Sequence, residues 1–450
     1  MQEEALSAAD VLKTLGQLEA AVSHAHDGAR GYLRQCFKGA GRDDTSKGGG
    51  WSQFLNETDK PPTATGTSHG VLALLACGEP PDSELITLAT RYLAACQCED
   101  GGWAKSNLRN KCALTRVTGL ILRALLDSGV HQPVAALENG IAWLLKAQNA
   151  DGGWGNAAKD EKSDVTSTSF ALQTMTRAVG LNQEGRDSIK KGQAWLREAR
   201  NTDHSWGYTR GMAGTVAHTS EAVDGLLACG HSPGSLGPTA EWLAQHIADE
   251  IQFNERYVFS QGPCLGTSVI WTQVSKERGL IALLALDSSI LAEPVVHAVN
   301  DILSRQVNGT CWRGSAFHDA EPIWAVKEAV VALRGFRNRI EQDRASVILS
   351  GELVDLRKEL ADVRGKVDRL LDREARRSLK HVLRALWSTM RKPSVIIGTV
   401  TVLLGICYIV LRRYVQLSGY ADILAAIAGF LGFALTLYQV FGDRRGGRRE

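Results

Sequence analysis

The sequence predicts an all-α protein in which six helix-pair repeats close into a ring, followed by a helical stalk and two transmembrane helices. Three observations support this fold class. Tryptophans recur at a nearly constant interval, glycine-rich turns join the helices of a repeat, and the composition changes after Phe336. So regular an interval is typical of a repeat architecture.

The tryptophans that mark the repeats are Trp51, Trp103, Trp154, Trp206 and Trp312. The first four are 52, 51 and 52 residues apart, and the last follows the fourth by 106 residues. Midway through this double interval, residues 257–259 (Tyr-Val-Phe) stand where a sixth tryptophan is expected. The chain therefore contains six units, and one of them lacks its tryptophan.

The third repeat shows the helix pair most clearly. Leu137 to Ala147 has the apolar spacing of an α-helix, and residues 149–154 (Asn-Ala-Asp-Gly-Gly-Trp) interrupt it. A second helix follows and ends at Gly180. Because one pair cannot bury its apolar surface alone, we expect six stacked pairs to form an inner ring of helices within an outer ring.

Charge is distributed unevenly along the chain, although its net value is only +2. Residues 337–450 contain 21 Lys and Arg against 12 Asp and Glu, whereas the remainder contains 30 against 37. An acidic repeat domain binds nucleic acid poorly, so we expect no DNA or RNA partner. The basic C-terminal part suits an anionic membrane surface.

The nine cysteines form no paired framework, and no apolar run follows Met1. We therefore expect reduced thiols and a cytosolic repeat domain. Cys96-x-Cys98 with Cys112 leaves a metal cluster open, but the position of Cys96 in a helix favours ordinary packing.

Two segments resemble the QW repeats of triterpene cyclases. Residues 140–154 read Gly-x-x-Trp-Leu-x3-Gln-x3-Gly-x-Trp. Residues 92–103 read Tyr-Leu-x3-Gln-x3-Gly-x-Trp, with an aromatic residue again before the leucine but without the leading glycine. Residues 191–206 are a partial copy, with Arg200 and His204 in place of Gln and Gly. The chain is thus similar to the terpenoid cyclase and protein prenyltransferase superfamily over roughly residues 25–336. The resemblance implies an (α/α)6 toroid with a central cavity, a fold that hosts more than one chemistry.

A triterpene cyclase of class II protonates its substrate with an Asp-x-Asp-Asp motif, and this chain has no such run. The nearest equivalent, residues 163–168 (Ser-Asp-Val-Thr-Ser-Thr), keeps one carboxylate, Asp164. Asp164 is also a good N-cap for the third inner helix, and this second interpretation is favoured. The pair Asp43–Asp44 precedes the repeats and does not fit the magnesium motif of class I cyclases.

The zinc site of the protein prenyltransferases is matched only in fragments. His218–Thr219 resembles part of that site, and His318–Asp319 with Cys311 offers further ligand types, but a surface loop is the favoured interpretation. We expect no metal and no cofactor, and the resemblance leaves open whether the chain is an enzyme at all.

Polar residues at equivalent positions of the inner helices are candidates to surround the cavity near one mouth and to orient a ligand. Hydrophilic first turns of buried helices would give the same pattern. The residues at equivalent positions are His69, Thr118, Ser169, Glu221, Arg278 and Glu328, and the further ligand-binding candidates are Asp164, His218, Trp271 and Trp324.

After the repeat domain (residues 1–336) comes a coiled-coil and basic stalk (residues 337–392). Leucines and valines recur at spacings of four and three over residues 349–370, which indicates self-association into a homo-oligomer. A single long helix packed on the toroid is the alternative.

Two apolar segments, Val395–Leu411 and Ile423–Phe441, predict a transmembrane hairpin over residues 393–441, with a basic tail at residues 442–450. Basic clusters flank the pair on both sides and outnumber Arg412 and Arg413 in the link. The positive-inside rule then predicts a multi-pass plasma-membrane protein with the toroid and the C-terminus in the cytoplasm.

The sequence supports two functional hypotheses. The first is a membrane-anchored toroid that binds a ligand or partner and relays it to the stalk and hairpin, in the manner of bacterial anti-phage or conflict-type membrane effectors. The second is a terpenoid cyclase or prenyltransferase-like enzyme acting on an isoprenoid or lipid substrate. A small apolar or lipid-like ligand suits both, and a plain scaffold would leave the cavity filled.

Overall fold

The computed structural model describes residues 8–39, 48–105, 112–129, 134–158, 162–178, 180–250, 252–259, 264–313 and 320–343. Its helices are α1 (Ala8–Gln35), α2 (Ala64–Ala76), α3 (Glu84–Ala95), α4 (Thr115–Asp127), α5 (Val134–Ala147), α6 (Val165–Met175), α7 (Gln183–Glu198), α8 (Val216–Ala228), α9 (Gly237–His246), α10 (Ser275–Ala285), α11 (Glu293–Ser304) and α12 (residues 323–343). The strands form three antiparallel pairs: β1 (Lys38–Gly39) with β2 (Gly49–Gly50), β3 (Phe253–Val258) with β4 (Ser268–Gln273), and β5 (Gln306–Val307) with β6 (Cys311–Trp312).

The helices alternate between an inner and an outer ring. Among the even-numbered helices, α2, α4, α6, α8 and α10 pack each against the next, and α3, α5, α7, α9 and α11 pack on their outer sides. The inner helices are buried nearly all round, because they contact neighbours on both sides as well as the outer ring. The predicted α/α toroid is therefore confirmed for the part of the chain that the structure describes.

The first and last repeats meet and close the ring. Leu55 N donates to Glu321 O at 2.8 Å, and Ile323 N donates to Gln53 O at 3.2 Å. These two bonds join the loop before α2 to the start of α12. The last repeat therefore packs beside the first rather than ending an open stack.

Each of the five repeat tryptophans donates its indole N–H to a backbone carbonyl near the end of an outer helix, over 2.7–2.8 Å. The acceptors are Leu33, Leu93, Leu144, Leu196 and Ile302. The last carbonyls of a helix have no partner within it, so the indole satisfies one of them inside the core. In four repeats the backbone N–H of the same tryptophan also donates to a threonine hydroxyl on the inner helix that follows it.

The other defined residues of the QW pattern join one repeat to the next. Gln148 Nε2 donates to Gly152 O at 2.7 Å and to Ser188 O at 2.9 Å, and Trp195 Nε1 donates to Asp151 Oδ2 at 2.8 Å. Ser188 and Trp195 both belong to α7, in the following repeat. The second repeat makes the same set of bonds.

The turn glycine of this pattern has a conformational role. Gly152 has φ of +90°, and a Cβ atom there would lie 3.0 Å from Lys191 O. The fourth repeat places His204 at the equivalent position, and its φ of 71° is one of three positive values among the described non-glycine residues. Positive φ is costly for a residue with a side chain, so this turn is less well adapted than its neighbours.

A β-hairpin replaces the missing tryptophan of the fifth repeat. Strands β3 and β4 run antiparallel from the pair Phe253–Gln273 to the pair Val258–Ser268. Phe259, directly after β3, is only 1% exposed and stands in the sequence where a tryptophan is expected. The sequence marked this site as an irregular repeat but did not predict strands.

A disulfide bond joins Cys112, just before α4, to Cys264, just before β4, with the Cα atoms 5.7 Å apart. The prediction of reduced thiols was therefore wrong for this pair. Cys112 is also unavailable to the metal cluster considered with Cys96 and Cys98, and the described residues contain no group of metal-ligating side chains.

The predicted stalk, transmembrane hairpin and basic tail lie outside the described residues, apart from residues 337–343, which continue α12. His318, Asp319, Asp43 and Asp44 also lie outside them. No helix of the described chain is both long enough and apolar enough to cross a bilayer.

Replacing Trp154 by Phe tests the tryptophan joint. The change leaves the Leu144 carbonyl buried without its donor and removes part of a fully buried ring. We expect the free energy of unfolding to fall by about 2–4 kcal/mol, measured by urea denaturation. Trp242→Phe, at a half-buried ring stacked on His246, is the control and should cost clearly less. Equal losses at the two sites would contradict the role assigned to the joint.

Candidate functional site

A cavity of about 390 Å³ lies inside the ring, at the N-terminal end of the inner helices. Its helical walls come from the first two turns of α2, α4, α6, α10 and α12, and the hairpin β3–β4 contributes a further side. Aromatic rings line much of it: Phe54, Phe170, Trp271 and Trp324. Aliphatic side chains complete the apolar surface: Val117, Leu120, Ile270 and Val274.

A buried ionic network forms the floor of this cavity. Arg278 Nη1 lies 3.1 Å from Glu221 Oε1, and Arg278 Nη2 lies 2.7 Å from Glu328 Oε1. Lys327 Nζ is 2.5 Å from the same Glu328 oxygen. Burial opposes ionisation of Glu328, but Arg278 and Lys327 outweigh it and hold the pKa of this carboxyl group far below its usual range. Glu328 is therefore a permanent anion and not a proton donor.

A second cavity, of about 320 Å³, lies on the other side of this floor. It is surrounded by later turns of the inner helices and also contacts Arg278 and Glu328. Burial raises the pKa of Asp224, on its wall, to about 6 and lowers the pKa of Lys327 to about 8. The ionic network thus separates two chambers along the axis of the toroid.

Two cations stand beside the ring of Trp271. The Lys105 ammonium is 4.7 Å from its centroid, and the Arg116 guanidinium is 4.6 Å from it. Arg116 Nη2 lies 3.6 Å from Glu221, but Arg116 Nη1 is buried and has no hydrogen-bond partner among the described residues. Lys105 donates to Ile270 O at 2.9 Å, and burial lowers the pKa of its ammonium to about 8. This end of the cavity is prepared to accept an anionic group.

Asp164 is the N-cap of α6, which confirms the capping role that the sequence favoured over a catalytic one. Its Oδ1 accepts from Ser167 N at 2.7 Å, and its Oδ2 lies 3.4 Å from Asn156 Nδ2. Burial raises the pKa of Asp164 to about 7, against the hydrogen bonds from Ser167, which lower it. That value suits a general acid, yet Asn156 and Trp271 stand between the carboxyl group and the cavity.

The structure brings together half of the ten predicted site residues. The five that line the cavity are His69, Trp271, Arg278, Trp324 and Glu328. Burial, followed by Lys327, lowers the pKa of His69 well below 6.5, so its imidazole is neutral. Their contact with a ligand stays a prediction.

The other five do not line this cavity, and their predicted placement is corrected. These residues are Thr118, Asp164, Ser169, His218 and Glu221. The Thr118 hydroxyl accepts from Trp103 N at 2.9 Å, and the Ser169 hydroxyl packs 3.0 Å from where a Cβ of Gly225 would lie. Thr118 thus binds the turn of its own repeat and Ser169 packs against the next repeat, which polar first turns alone did not reveal.

His218 and Glu221 are also committed to protein partners. His218 Nδ1 bonds the Thr215 hydroxyl at 2.8 Å, and His218 Nε2 lies 3.0 Å from Glu255 Oε1 on β3. Glu221 is fully buried beneath the cavity, where it accepts from the Thr166 hydroxyl as well as pairing with the floor arginines.

Three important lining residues were missed: Lys105, Arg116 and Phe170. Arg116 precedes the predicted Thr118 by two positions, and Phe170 follows the predicted Ser169 by one. The sequence could have indicated Arg116 as a cavity residue, because it is an arginine in the first turn of a buried helix. Lys105 had no such signal, because its place in the cavity is defined by contacts with Ile270 and Trp271, which are distant in the sequence.

Comparisons with known proteins agree with this architecture. Residues 113–219 match the family model of the squalene-hopene cyclase C-terminal domain. The chain is 28% identical over 187 residues to drimenyl diphosphate synthase of Streptomyces showdoensis, which covers 38% of this chain and 33% of that protein. It is 26% identical over 155 residues to squalene–hopene cyclase of Zymomonas mobilis, covering 32% and 23% of the two chains.

A solved type II terpene cyclase from Scytonema is similar with a TM-score of 0.48 and 12% identity, over 72% of this chain and 99% of that one. The matched segments span a third or less of the two curated relatives just named. The family model and these relatives confirm the predicted resemblance to the terpenoid cyclase α/α-toroid superfamily.

The prediction of a membrane effector that relays a signal to a stalk and hairpin was wrong. The curated relatives of this chain are cyclases and terpenoid diphosphate synthases, and they point to an enzyme fold, which was the alternative hypothesis. The wrong prediction rested on the missing Asp-x-Asp-Asp motif and on the apolar C-terminal segments, which lie outside the described residues, whereas the repeat motif is the feature that the relatives share.

Asp164→Asn tests the role of the buried carboxyl group through its pH dependence. The folded protein holds a proton on Asp164 up to about pH 7, whereas an unfolded aspartate loses it near 3.8, so this group makes stability fall as the pH rises between these values. The variant keeps a capping oxygen and no longer titrates. We expect its stability, relative to wild type, to improve progressively from pH 4 to pH 7 in urea denaturation.

Asp164→Ala is the matched control, because it removes the cap as well and should cost about 1 kcal/mol at low pH. An Asp164→Asn variant whose stability follows the wild-type pH profile would contradict the raised pKa.

Proposed function

We propose that the chain is an enzyme of the terpenoid cyclase type that acts on an isoprenoid or other lipid-like substrate held in the central cavity. One observation carries the proposal: an aromatic cavity within the toroid ends at two cations that have donors to spare. The volume of about 390 Å³ falls in the range of small-molecule sites.

The aromatic lining suits both the substrate and the chemistry. Phe54 and Trp324 contact each other at 5.2 Å on one side, and Phe170 and Trp271 lie on the side of Arg116. Such rings bury an apolar chain, and their faces stabilise positive charge that develops along it. A cyclisation through carbocations needs this combination in a site that excludes water.

The cationic end of the cavity would orient the substrate. Arg116 Nη1 and the Lys105 ammonium flank Trp271, and the floor residue Arg278 is already neutralised by two glutamates. A diphosphate or carboxylate at the head of the substrate would satisfy the buried arginine, whose unpaired donor is otherwise costly. The apolar chain would then extend along the rings of Phe170, Phe54 and Trp324.

The names of several relatives favour this substrate class. Besides drimenyl diphosphate synthase, they include labda-7,13-dienyl diphosphate synthase of Streptomyces clavuligerus and copalyl diphosphate synthase of Streptomyces cyslabdanicus. Each of these names describes a terpenoid product that carries a diphosphate. We therefore place isoprenoid diphosphates first among the substrates, ahead of neutral polyenes such as squalene.

Turnover is tested by incubating the full chain with farnesyl diphosphate, geranylgeranyl diphosphate or squalene. Products are extracted, treated with phosphatase and analysed by gas chromatography and mass spectrometry. A cyclised product from a diphosphate, absent with heat-denatured protein, is the expected result. Tight binding without turnover would remove the catalytic part of the proposal, and absence of binding to all three would remove the whole.

Lys105→Met separates head-group recognition from chain binding. Loss of one charge-assisted hydrogen bond should weaken farnesyl diphosphate binding about tenfold and leave farnesol binding unchanged, measured by isothermal titration calorimetry. Wild-type affinity for the diphosphate should also fall as the pH rises above about 8, where the Lys105 ammonium loses its proton. Lys190→Met, at an exposed site on α7, is the control. Equal losses for both ligands would argue against an anion site at Lys105.

The predicted plasma-membrane location, the transmembrane segments and self-association through residues 349–370 concern residues outside the described part of the chain. They stay predictions from sequence. A membrane location would place the proposed enzyme where lipid-like substrates dissolve.

A further inference from the structure

The hairpin β3–β4 reaches across the ring. It belongs to the fifth repeat, yet Lys105 of the second repeat donates to Ile270 O at 2.9 Å. Trp271 Nε1 donates to Asn156 Oδ1 of the third repeat at 3.1 Å. In a closed ring of six, the second and fifth repeats are opposite each other. The hairpin therefore crosses the central opening, and three of its residues, Ile270, Trp271 and Thr272, line the cavity.

The base of the hairpin is anchored close to its own repeat. Glu255 on β3 lies 3.0 Å from His218 of α8 and accepts from Gln273 Nε2 at 2.8 Å. Gln273 is fully buried, and β4 leads directly into α10. The two strands are thus held at the end where the chain leaves and re-enters the inner ring.

The far end of the hairpin is fastened by the disulfide. Cys264 precedes β4, and Cys112 precedes α4 by three residues, in the second repeat. Their Cα separation of 5.7 Å is the ordinary distance for a disulfide. The bond joins positions 152 residues apart, so it ties the free end of the hairpin to the opposite wall of the ring.

The other described bonds across the opening are weak by comparison. They include the hydrogen bonds of Lys105 and Trp271, the contact of Arg116 Nη2 with Gln273 at 3.4 Å, and cation–π contacts at Trp271. Each such interaction is weak by itself, and local opening of a segment can break a few of them together. Val269 and Phe259 of the hairpin are buried as well, and the disulfide adds a covalent link to these noncovalent contacts.

We propose that thiol–disulfide exchange at Cys112–Cys264 controls opening of the hairpin, and with it ligand entry into the cavity. A dithiol is the reductant. One of its thiolates attacks a sulfur of the pair, which forms a mixed disulfide and releases the other cysteine as a thiolate. The second thiol then displaces the remaining cysteine. The dithiol leaves as a cyclic disulfide, and its two electrons and two protons are now on the two cysteine thiols.

Burial of the sulfur atoms couples this exchange to hairpin motion. Cys264 is 0% exposed and Cys112 is 6% exposed, so a reductant reaches the bond only when the surrounding chain, which includes the hairpin, moves. A ligand that holds the hairpin closed must then slow reduction, and reduction must speed ligand entry, because the two events share the same opening.

The first experiment needs no ligand. Hydrogen–deuterium exchange by mass spectrometry compares the oxidised chain, the chain reduced with dithiothreitol, and the double variant Cys112→Ser/Cys264→Ser. Exchange in peptides covering residues 253–259 and 264–273 is expected to rise about tenfold or more on reduction, with α6 unchanged. Cys77→Ser, at a buried free cysteine, is the control and should leave the hairpin protected.

Reduction of the unaltered chain keeps the test valid if the double variant does not fold. Unchanged hairpin protection after complete reduction, verified by alkylation and mass measurement, would overturn the proposal. So would a uniform rise over all inner helices, which would mean general destabilisation rather than local opening.

The second experiment rests on the proposed function. Stopped-flow binding of farnesyl diphosphate should show an association rate several-fold higher for the reduced chain, and saturating farnesyl diphosphate should lengthen the half-life of the disulfide in dithiothreitol. A hairpin that opens on reduction in a protein that binds no isoprenoid would refute the proposed function and leave the redox control standing. Equal association rates in the two redox states would refute control of ligand entry.

Discussion

The hydrogen bond from a tryptophan indole to the end of an outer helix is the interaction on which the toroid depends. It occurs in five repeats with almost the same length, and each ring is fully buried. A large apolar ring with a single donor fills the space between two helices and satisfies a carbonyl that water cannot reach. Repetition of this joint every 52 residues or so sets the curvature that allows the last repeat to pack beside the first.

The cavity owes its character to the repeat in which the joint is absent. A regular sixth tryptophan would give the fifth repeat another short turn, whereas the chain forms a hairpin that extends over the ring. Trp271, carried on this hairpin, faces Arg116 and Lys105 from the opposite side of the toroid. The same irregularity thus supplies an aromatic wall, brings two cations together and receives the disulfide from Cys112.

Burial of the floor network is tolerated because its charges are paired. Arg278 contacts Glu221 and Glu328, and Lys327 contacts the second of these, so each anion has a close cation. An isolated charge in such a place would be neutralised. Burial acts in this way on two residues, because it lowers the pKa of His69 and raises the pKa of Asp164. Because these charges of the floor are paired with one another, the floor is polar but its charges need no ligand. The hydrogen-bond donors left for a ligand lie above the floor, at Arg116 and Lys105.

The sequence by itself determined the repeat number, the helix pairs, the positions of the tryptophans that mark the repeats and the cap at Asp164. The helix pairs and the cap follow from local periodicity and turn chemistry, which act within about fifteen residues, and the repeat number follows from the regular tryptophan interval. Only the tertiary structure decided which polar residues face the cavity. An inner helix has neighbours on both sides, so its sequence shows no polar face that would indicate which residues point into the cavity. Thr118 and Ser169 were therefore predicted to line the cavity, and Arg116 was not. The Cys112–Cys264 bond and the contact of Lys105 with the hairpin required the closed ring, because each joins segments more than a hundred residues apart.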